Sequence, residues 1–146
     1  MVAALYIALM YVGQGFAFGV YQVRLATAIY ALAYLFPFST VPLALANALS
    51  NALLGGFGVF DIVGGFGVGL VTAGAIALVR ICKLPAWLVI LPNILGPGLI
   101  VPLWLSHITG VPYWALVVNI SIGQITPAIL GYILIRALSK RKVADQ

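Results

Sequence analysis

Residues 62–79, IVGGFGVGLVTAGAIALV, hold eighteen consecutive uncharged positions between Asp61 and Arg80. At 1.5 Å rise per residue, a helix of that length reaches about 27 Å, close to the hydrocarbon thickness of a bilayer. The stretch reads as a membrane span, and comparable apolar runs recur on both sides of it. Of the 146 residues 64% are apolar and 6% charged. A soluble domain of this size keeps much of its surface in water, so such a balance excludes one. The expected class is an all-α integral membrane protein.

Dividing the apolar runs at their breakers gives six spans: 1–19, 22–38, 41–55, 62–79, 85–105 and 112–137. PFSTVP, GGFGVFD, KLP and SHITGVP supply the turn chemistry between the later ones. Spans two and three are short for a core of about 30 Å and are expected inside the bundle or where the bilayer thins. The hydrophobic start at Met1 has no basic region before it and no cleavage site with a soluble body after it, so it reads as a span rather than a signal peptide. One six-helix domain over residues 1–137 is expected, with a basic tail at 138–146. An even number of spans puts both termini on one side, together with Arg80, Lys83, Arg136, Lys140, Arg141 and Lys142, which are six of the seven cations. The positive-inside rule names that side cytoplasmic and the location the cell membrane. Cations gathered beside spans are a topology signal, not a nucleic-acid footprint. Cys82 is the single cysteine, which excludes an internal disulfide.

Arg24 remains alone on the outer side, and Asp61 falls there too. Isolated ionisable groups flush against a span are costly unless paired or used, which makes both candidates for a ligand site. Structural readings stand beside this one. Arg24 is placed to snorkel to the headgroups, and Asp61 to cap the fourth helix. The amides Gln22, Asn47, Asn51, Asn93, Asn119 and Gln124 form a second polar population. The six-span division sets Asn51 near the outer end of span three, Asn93 and Asn119 on the outer halves of spans five and six, and Gln124 a turn deeper. They are expected to line a cavity that opens outward, or else to bond helix to helix. Trp104, Tyr113 and Trp114 suit an interfacial belt, with Trp114 or Tyr113 also suited to stacking on a planar ligand. His107, without a second histidine, is an exposed loop residue rather than a metal ligand.

Small residues recur every fourth position at Gly65, Gly69, Ala73 and Ala77, and again at Ala44, Ala48, Ala52 and Gly56, so spans three and four are expected to pack closely. Ala4 and Ala8 make a shorter pair with no evident internal partner, a surface for another membrane subunit. Enzyme signatures are missing: there is no P-loop, GxGxxG, HExxH or GxSxG, and two acids and one histidine do not readily furnish an acid–base pair. No catalytic residue, metal or cofactor is expected.

The segments YQVRLATAIYALAYLFP (21–37), SNALLGGFGVFDIVGG (50–65), ILPNILGPGLIVPLW (90–104) and VPYWALVVNISIGQITPAILGYIL (111–134) together resemble the QueT family of substrate-binding S components of energy-coupling factor (ECF) transporters. The most specific parts are Gln22-x-Arg24 and the run from Asn51 through the Gly55–Gly56 pair, Phe57 and Gly58 to Asp61. The resemblance implies a six-transmembrane-helix bundle of the S-component type with termini inside and a pocket closed by outer loops. It also implies an ATP-driven import module of one transmembrane coupling subunit and two ATPases. Ala4 and Ala8 then match the surface that S components present to the coupling subunit. The implied ligand is a queuosine precursor, a planar 7-deazaguanine base, held by Gln22, Arg24, Thr27, Asn51, Asp61, Asn93, Trp114, Asn119 and Gln124.

Two positions depart from the family pattern, which places an acid three residues after the arginine and another after the glycine of the last span. Here these are Thr27 and Gln124. Without those carboxylates a cationic ligand is disfavoured, and the neutral nitrile-bearing base fits better than the aminomethyl one. A guanine-like edge offers adjacent N–H donors beside a carbonyl, so Asp61 suits the donors while Arg24, Gln22 or an asparagine suits the oxygen. Competing readings are an S component for another vitamin or neutral small molecule, a structural subunit of another membrane complex, and, least supported, a small membrane enzyme.

Overall fold

The computed structural model describes residues 1–17, 21–55 and 57–144, with side chains as far as Lys140. The chain is helical throughout, with no strand among the described residues. Helix α1 (Val2–Val12) gives way at Gly13 to a short turn, Gln14–Ala17. The segment α2 (Leu25–Leu35) opens as a 3-10 helix over Leu25–Ala31 and becomes α-helical only over Leu32–Leu35. Then follow α3 (Thr40–Leu54), α4 (Val59–Ile81), α5 (Ala86–Thr109) and α6 (Tyr113–Ala144). These elements follow the order of the expected runs. Residues 18 and 19, which close the expected first span, and residue 20 lie outside the described residues, and α6 continues without a break past residue 137, the expected end of the six-helix domain.

Breaker chemistry sets the boundaries. Pro37 opens the turn before α3, Pro85 precedes α5, and Pro112 precedes α6, each where a missing N–H costs no helical bond. Gly58 holds φ 74° and ψ −157°, a conformation open essentially to glycine alone, and starts α4. Gly110, left-handed at φ 71°, ends α5 by returning its N–H to the Ser106 carbonyl at 2.9 Å.

Three helices are long and apolar enough to cross a membrane: α4, α5 and α6, the last over Tyr113–Lys140. Apolar helices α1 and α2 are shorter, and α3 has 15 residues, about 22 Å of rise. Leucine gains little by leaving lipid for protein, so cohesion in such a bundle depends on close backbone approach and on hydrogen bonds. Both are present. A Cβ on Gly69 would stand 2.8 Å from the Ala44 Cα, and one on Gly131 would stand 2.8 Å from the Ala28 carbonyl oxygen, which locks α3 to α4 and α2 to α6. Tyr6, Met10, Tyr30, Leu43, Ile76 and Ile135 form the inner core. Within it the rings of Tyr6 and Tyr30 stack at 5.5 Å, with their hydroxyls 3.3 Å apart.

The four-residue ridge holds on α4, where Gly65, Gly69, Ala73 and Ala77 are all buried, but not on α3. Ala44 is buried, Ala48 only half-buried and Ala52 exposed, while Gly56 lies outside the described residues. A strict repeat of four drifts about 40° per step against a period of 3.6. The face that α3 buries is therefore Leu43, Ala44, Asn47, Ser50 and Asn51.

Candidate ligand-binding site

The buried face of α3 presents Asn47 and Asn51, one turn apart, to the first two turns of α4. Asn47 Nδ2 donates to the Gly65 carbonyl at 2.8 Å, and Asn51 Nδ2 donates to the Asp61 carbonyl at 2.8 Å. These bonds fix both amides with their oxygens facing the other way. Arg24, just ahead of α2, meets those oxygens: its Nη1 donates to Asn47 Oδ1 at 3.3 Å and to Asn51 Oδ1 at 3.2 Å. A single buried cation is thus held by two neutral amides that are themselves anchored on backbone. Gly65 makes this possible, because a Cβ there would lie 2.5 Å from Asn51 Nδ2.

Asp61 completes the cluster. Gly58, not Asp61, occupies the N-cap of α4, so the capping role open to Asp61 in the sequence is not the one it takes. It stands in the first turn with its side chain 2% exposed. Trp104 Nε1 donates to Asp61 Oδ1 at 3.4 Å, while Oδ2 has no hydrogen-bond partner among the described residues. The indole packs against Gly64, where a Cβ would come within 2.7 Å of the ring. An open cavity of about 490 Å³ is lined by Phe60, Leu103, Trp104, His107 and Ile108.

A second bonded group lies beside the first. Thr27 Oγ1 is 2.7 Å from both the Arg24 carbonyl and Gln124 Oε1, and its one proton serves either in turn. Gln124 Nε2 donates to the Gln22 carbonyl at 3.0 Å, which fixes the orientation of that amide. It is the backbone of Gln22, in a left-handed conformation at φ 44°, that meets Gln124. The two positions that depart from the family pattern are therefore direct neighbours. Close approach of the chain at Tyr21 to Gly123 brings them together; a Cβ at Gly123 would overlap the Tyr21 carbonyl.

Gln22, Arg24, Thr27, Asn51, Asp61 and Gln124 are gathered here, each at most 5% exposed. The other expected members stand apart. Trp114 is 72% exposed and packs edge-on against Tyr113. Asn119 is half-buried, on the turn of α6 before Gly123. Asn93, expected at the depth of the others, is not there. Gly64 against Trp104 and Gly96 against Thr72 set α4 and α5 antiparallel. Asn93 thus lies a turn beyond Thr72, itself eleven residues or about 16 Å from Asp61 along α4. Neither amide atom of Asn93 has a partner among the described residues, nor has Thr72 Oγ1.

Two members were not singled out by the sequence. Asn47 stood among the amides, and its spacing of four from Asn51 is the signal that places both on one face. Trp104 read as an interfacial aromatic, and its seat on Gly64 is what brings it against Asp61. The described residues hold no group of three metal-ligating side chains.

The arrangement is suited to bind rather than to react: a cation, an acid with one unused oxygen and several fixed amides, enclosed among apolar helices. Neither a curated protein nor a solved structure gives a match. The sequence model of the QueT transporter family matches residues 1–140, and the chain belongs to that family.

Proposed function

We propose that this chain is the substrate-binding S component of an ATP-driven ECF importer, and that its ligand is a neutral 7-deazaguanine base. The observation that carries the reading is the Arg24–Asn47–Asn51–Asp61 cluster with Asp61 Oδ2 left without a donor. A buried carboxylate oxygen without a hydrogen bond is costly, and a ligand N–H would remove that cost. The guanine-type edge supplies two adjacent N–H groups for the carboxylate and a carbonyl for Arg24 or an asparagine. Thr27 and Gln124 contribute no charge to the site, which favours the nitrile-bearing base over the cationic aminomethyl one.

Family membership supports the remaining parts of the reading. All six helical segments cross the membrane, and both termini face the cytoplasm. Driving force comes from a transmembrane coupling subunit and two ATPases, since the chain carries no nucleotide-binding motif. Ala4 and Ala8 lie on the exposed side of α1, opposite the buried Tyr6 and Met10, as a docking surface requires.

Isothermal titration of the purified protein tests the ligand. Saturable heat is expected with the nitrile-bearing base and at least tenfold weaker binding with the aminomethyl form, a difference of about 1.4 kcal/mol. Absence of binding to both bases would remove the assignment and leave another neutral small molecule as the substrate.

A further inference from the structure

A different part of the molecule carries an inference of its own. Helix α4 ends in a Schellman motif: the Leu84 N–H returns to the Val79 carbonyl at 2.9 Å and the Lys83 N–H to the Arg80 carbonyl at 3.0 Å. The left-handed residue of such a motif is usually glycine, but here Lys83 takes it at φ 56°. A side chain is therefore kept where one is disfavoured, and it is a cation. Because the motif's own N–H groups satisfy these last carbonyls, the side chains of Arg80 and Lys83 are left for other contacts.

Arg80 has a fixed backing. Its guanidinium carbon lies 5.5 Å over the ring of Tyr34, which is 9% exposed, so the cation rests on an anchored aromatic face. Tyr34, Arg80, Ile81, Lys83 and Leu84 enclose an open cavity of about 400 Å³. No acid neutralises it: Asp61 is the one acidic residue among those described, nineteen residues or about 28 Å up α4. The lip is apolar, with Ile81 63% and Leu84 44% exposed at the end of a spanning helix, and Trp87 exposed nearby in sequence.

We propose that this concave end of α4 binds the phosphate of an anionic phospholipid, with Arg80 and Lys83 on the phosphate oxygens and Ile81 and Leu84 against the first acyl carbons. Phosphate is the chemistry that a planar fork and an ammonium recognise together. The membrane, rather than free phosphate, is its source because the site opens beside apolar residues where a long span meets the headgroups. Basic pockets at helix ends on the cationic side of a membrane protein are the setting in which anionic headgroups are held.

The test is lipid retention by the full chain in detergent, read by native mass spectrometry with added phosphatidylglycerol, phosphatidylcholine or inorganic phosphate. Wild type should retain phosphatidylglycerol over phosphatidylcholine. Arg80→Gln with Lys83→Gln should reduce that retention at least tenfold, whereas Arg136→Gln with Lys140→Gln, an equal loss of charge outside the cavity, should change it less than twofold. Lys83→Gly removes the ammonium yet suits the left-handed backbone, so it should weaken retention without lowering the unfolding temperature, which keeps the test informative if the double variant folds poorly. Equal losses in the two double variants would reduce the effect to general attraction and overturn the site. Displacement of the lipid by inorganic phosphate at equal concentration, or retained lipid with lost co-purification of a protein partner in the Arg80 and Lys83 variants, would overturn the lipid assignment.

Discussion

Trp104 donates its indole N–H to one carboxylate oxygen of Asp61, and the other oxygen of the same carboxylate receives nothing from the described residues. Trp104 also lines the cavity it shares with Phe60 and His107, so one side chain touches both the acid and that cavity. Trp104→Phe keeps a ring over Gly64 and removes the donor. Stranding a buried acceptor costs about 1–3 kcal/mol, so the unliganded variant should unfold several degrees lower. A ligand that satisfies Asp61 recovers this cost, so the upward thermal shift on adding saturating nitrile-bearing base should be larger in the variant than in wild type. An equal shift in both would separate Trp104 from the ligand position.

For Arg24 and Asp61, binding should fall by about 2 kcal/mol or more in Arg24→Ala and in Asp61→Asn, the scale for truncating a desolvated, charge-assisted bond. Arg24→Lys discriminates further. Arg24 Nη1 is shared between Asn47 and Asn51, a geometry that a single ammonium on a different stem does not reproduce. A snorkelling cation would tolerate the change. Titration of the four proteins, wild type included, against the same base reads the difference, and equal affinities would move the pocket elsewhere.

Two glycines of α4 only two residues apart should respond in opposite ways. Gly65→Ala drives a methyl group toward Asn51 Nδ2, 2.5 Å from the added carbon, and should cost about 1–3 kcal/mol with loss of binding. Gly67→Ala meets nothing within 4 Å and should be neutral, or stabilising by up to about 1 kcal/mol, through helix propensity. Thermal unfolding of both variants in one detergent checks the contrast; a Gly65→Ala protein as stable and as tight-binding as wild type would dissolve the link between that glycine and the site.

How much of this was legible in the sequence depended on range. The order of the elements and their breaks follow from local composition, and α4 to α6 are read directly from stretches of eighteen residues that are apolar on average. Arg24 and Asp61 stood out because charge is rare in such a chain. Depth did not read as well. Asn93 sits where the α4–α5 register puts it, and that register depends on Gly64 meeting Trp104 and Gly96 meeting Thr72, contacts between residues far apart in the chain. Nor did the four-residue spacing on α3 reveal its buried face, since the asparagines rather than the alanines meet α4. The 3-10 start of α2 likewise reflects its packing against α6 at Gly131, not a local signal.

Docking on α1 is tested by replacing Ala4 and Ala8 together with leucine. Both lie on the exposed side of the helix, so the monomer should fold and its ligand affinity should stay within about twofold, less than 0.5 kcal/mol. Uptake by the complete complex should be lost, because bulky residues separate helices that rely on close approach. Unchanged uptake would make the pair ordinary helix surface.

The Thr27–Gln124 contact bears on which base is accepted. Gln124 accepts from Thr27 through Oε1 and donates to the Gln22 carbonyl through Nε2, so each half of the amide has a use. Gln124→Glu preserves the first bond and sets a carboxylate oxygen against a carbonyl in place of the second. Without a ligand, that buried repulsion should lower stability by about 1–3 kcal/mol, visible as a drop in unfolding temperature. A cationic ligand relieves it, and a neutral one does not. The preference for the nitrile-bearing over the aminomethyl base should therefore shrink at least tenfold in Gln124→Glu, about 1.4 kcal/mol, while Gln124→Leu weakens both bases alike. Paired titrations of the two bases against these variants supply the ratio. A ratio untouched by the new carboxylate would confine Thr27 and Gln124 to holding α2 on α6, and the preference for a neutral ligand would lose its support in these two positions.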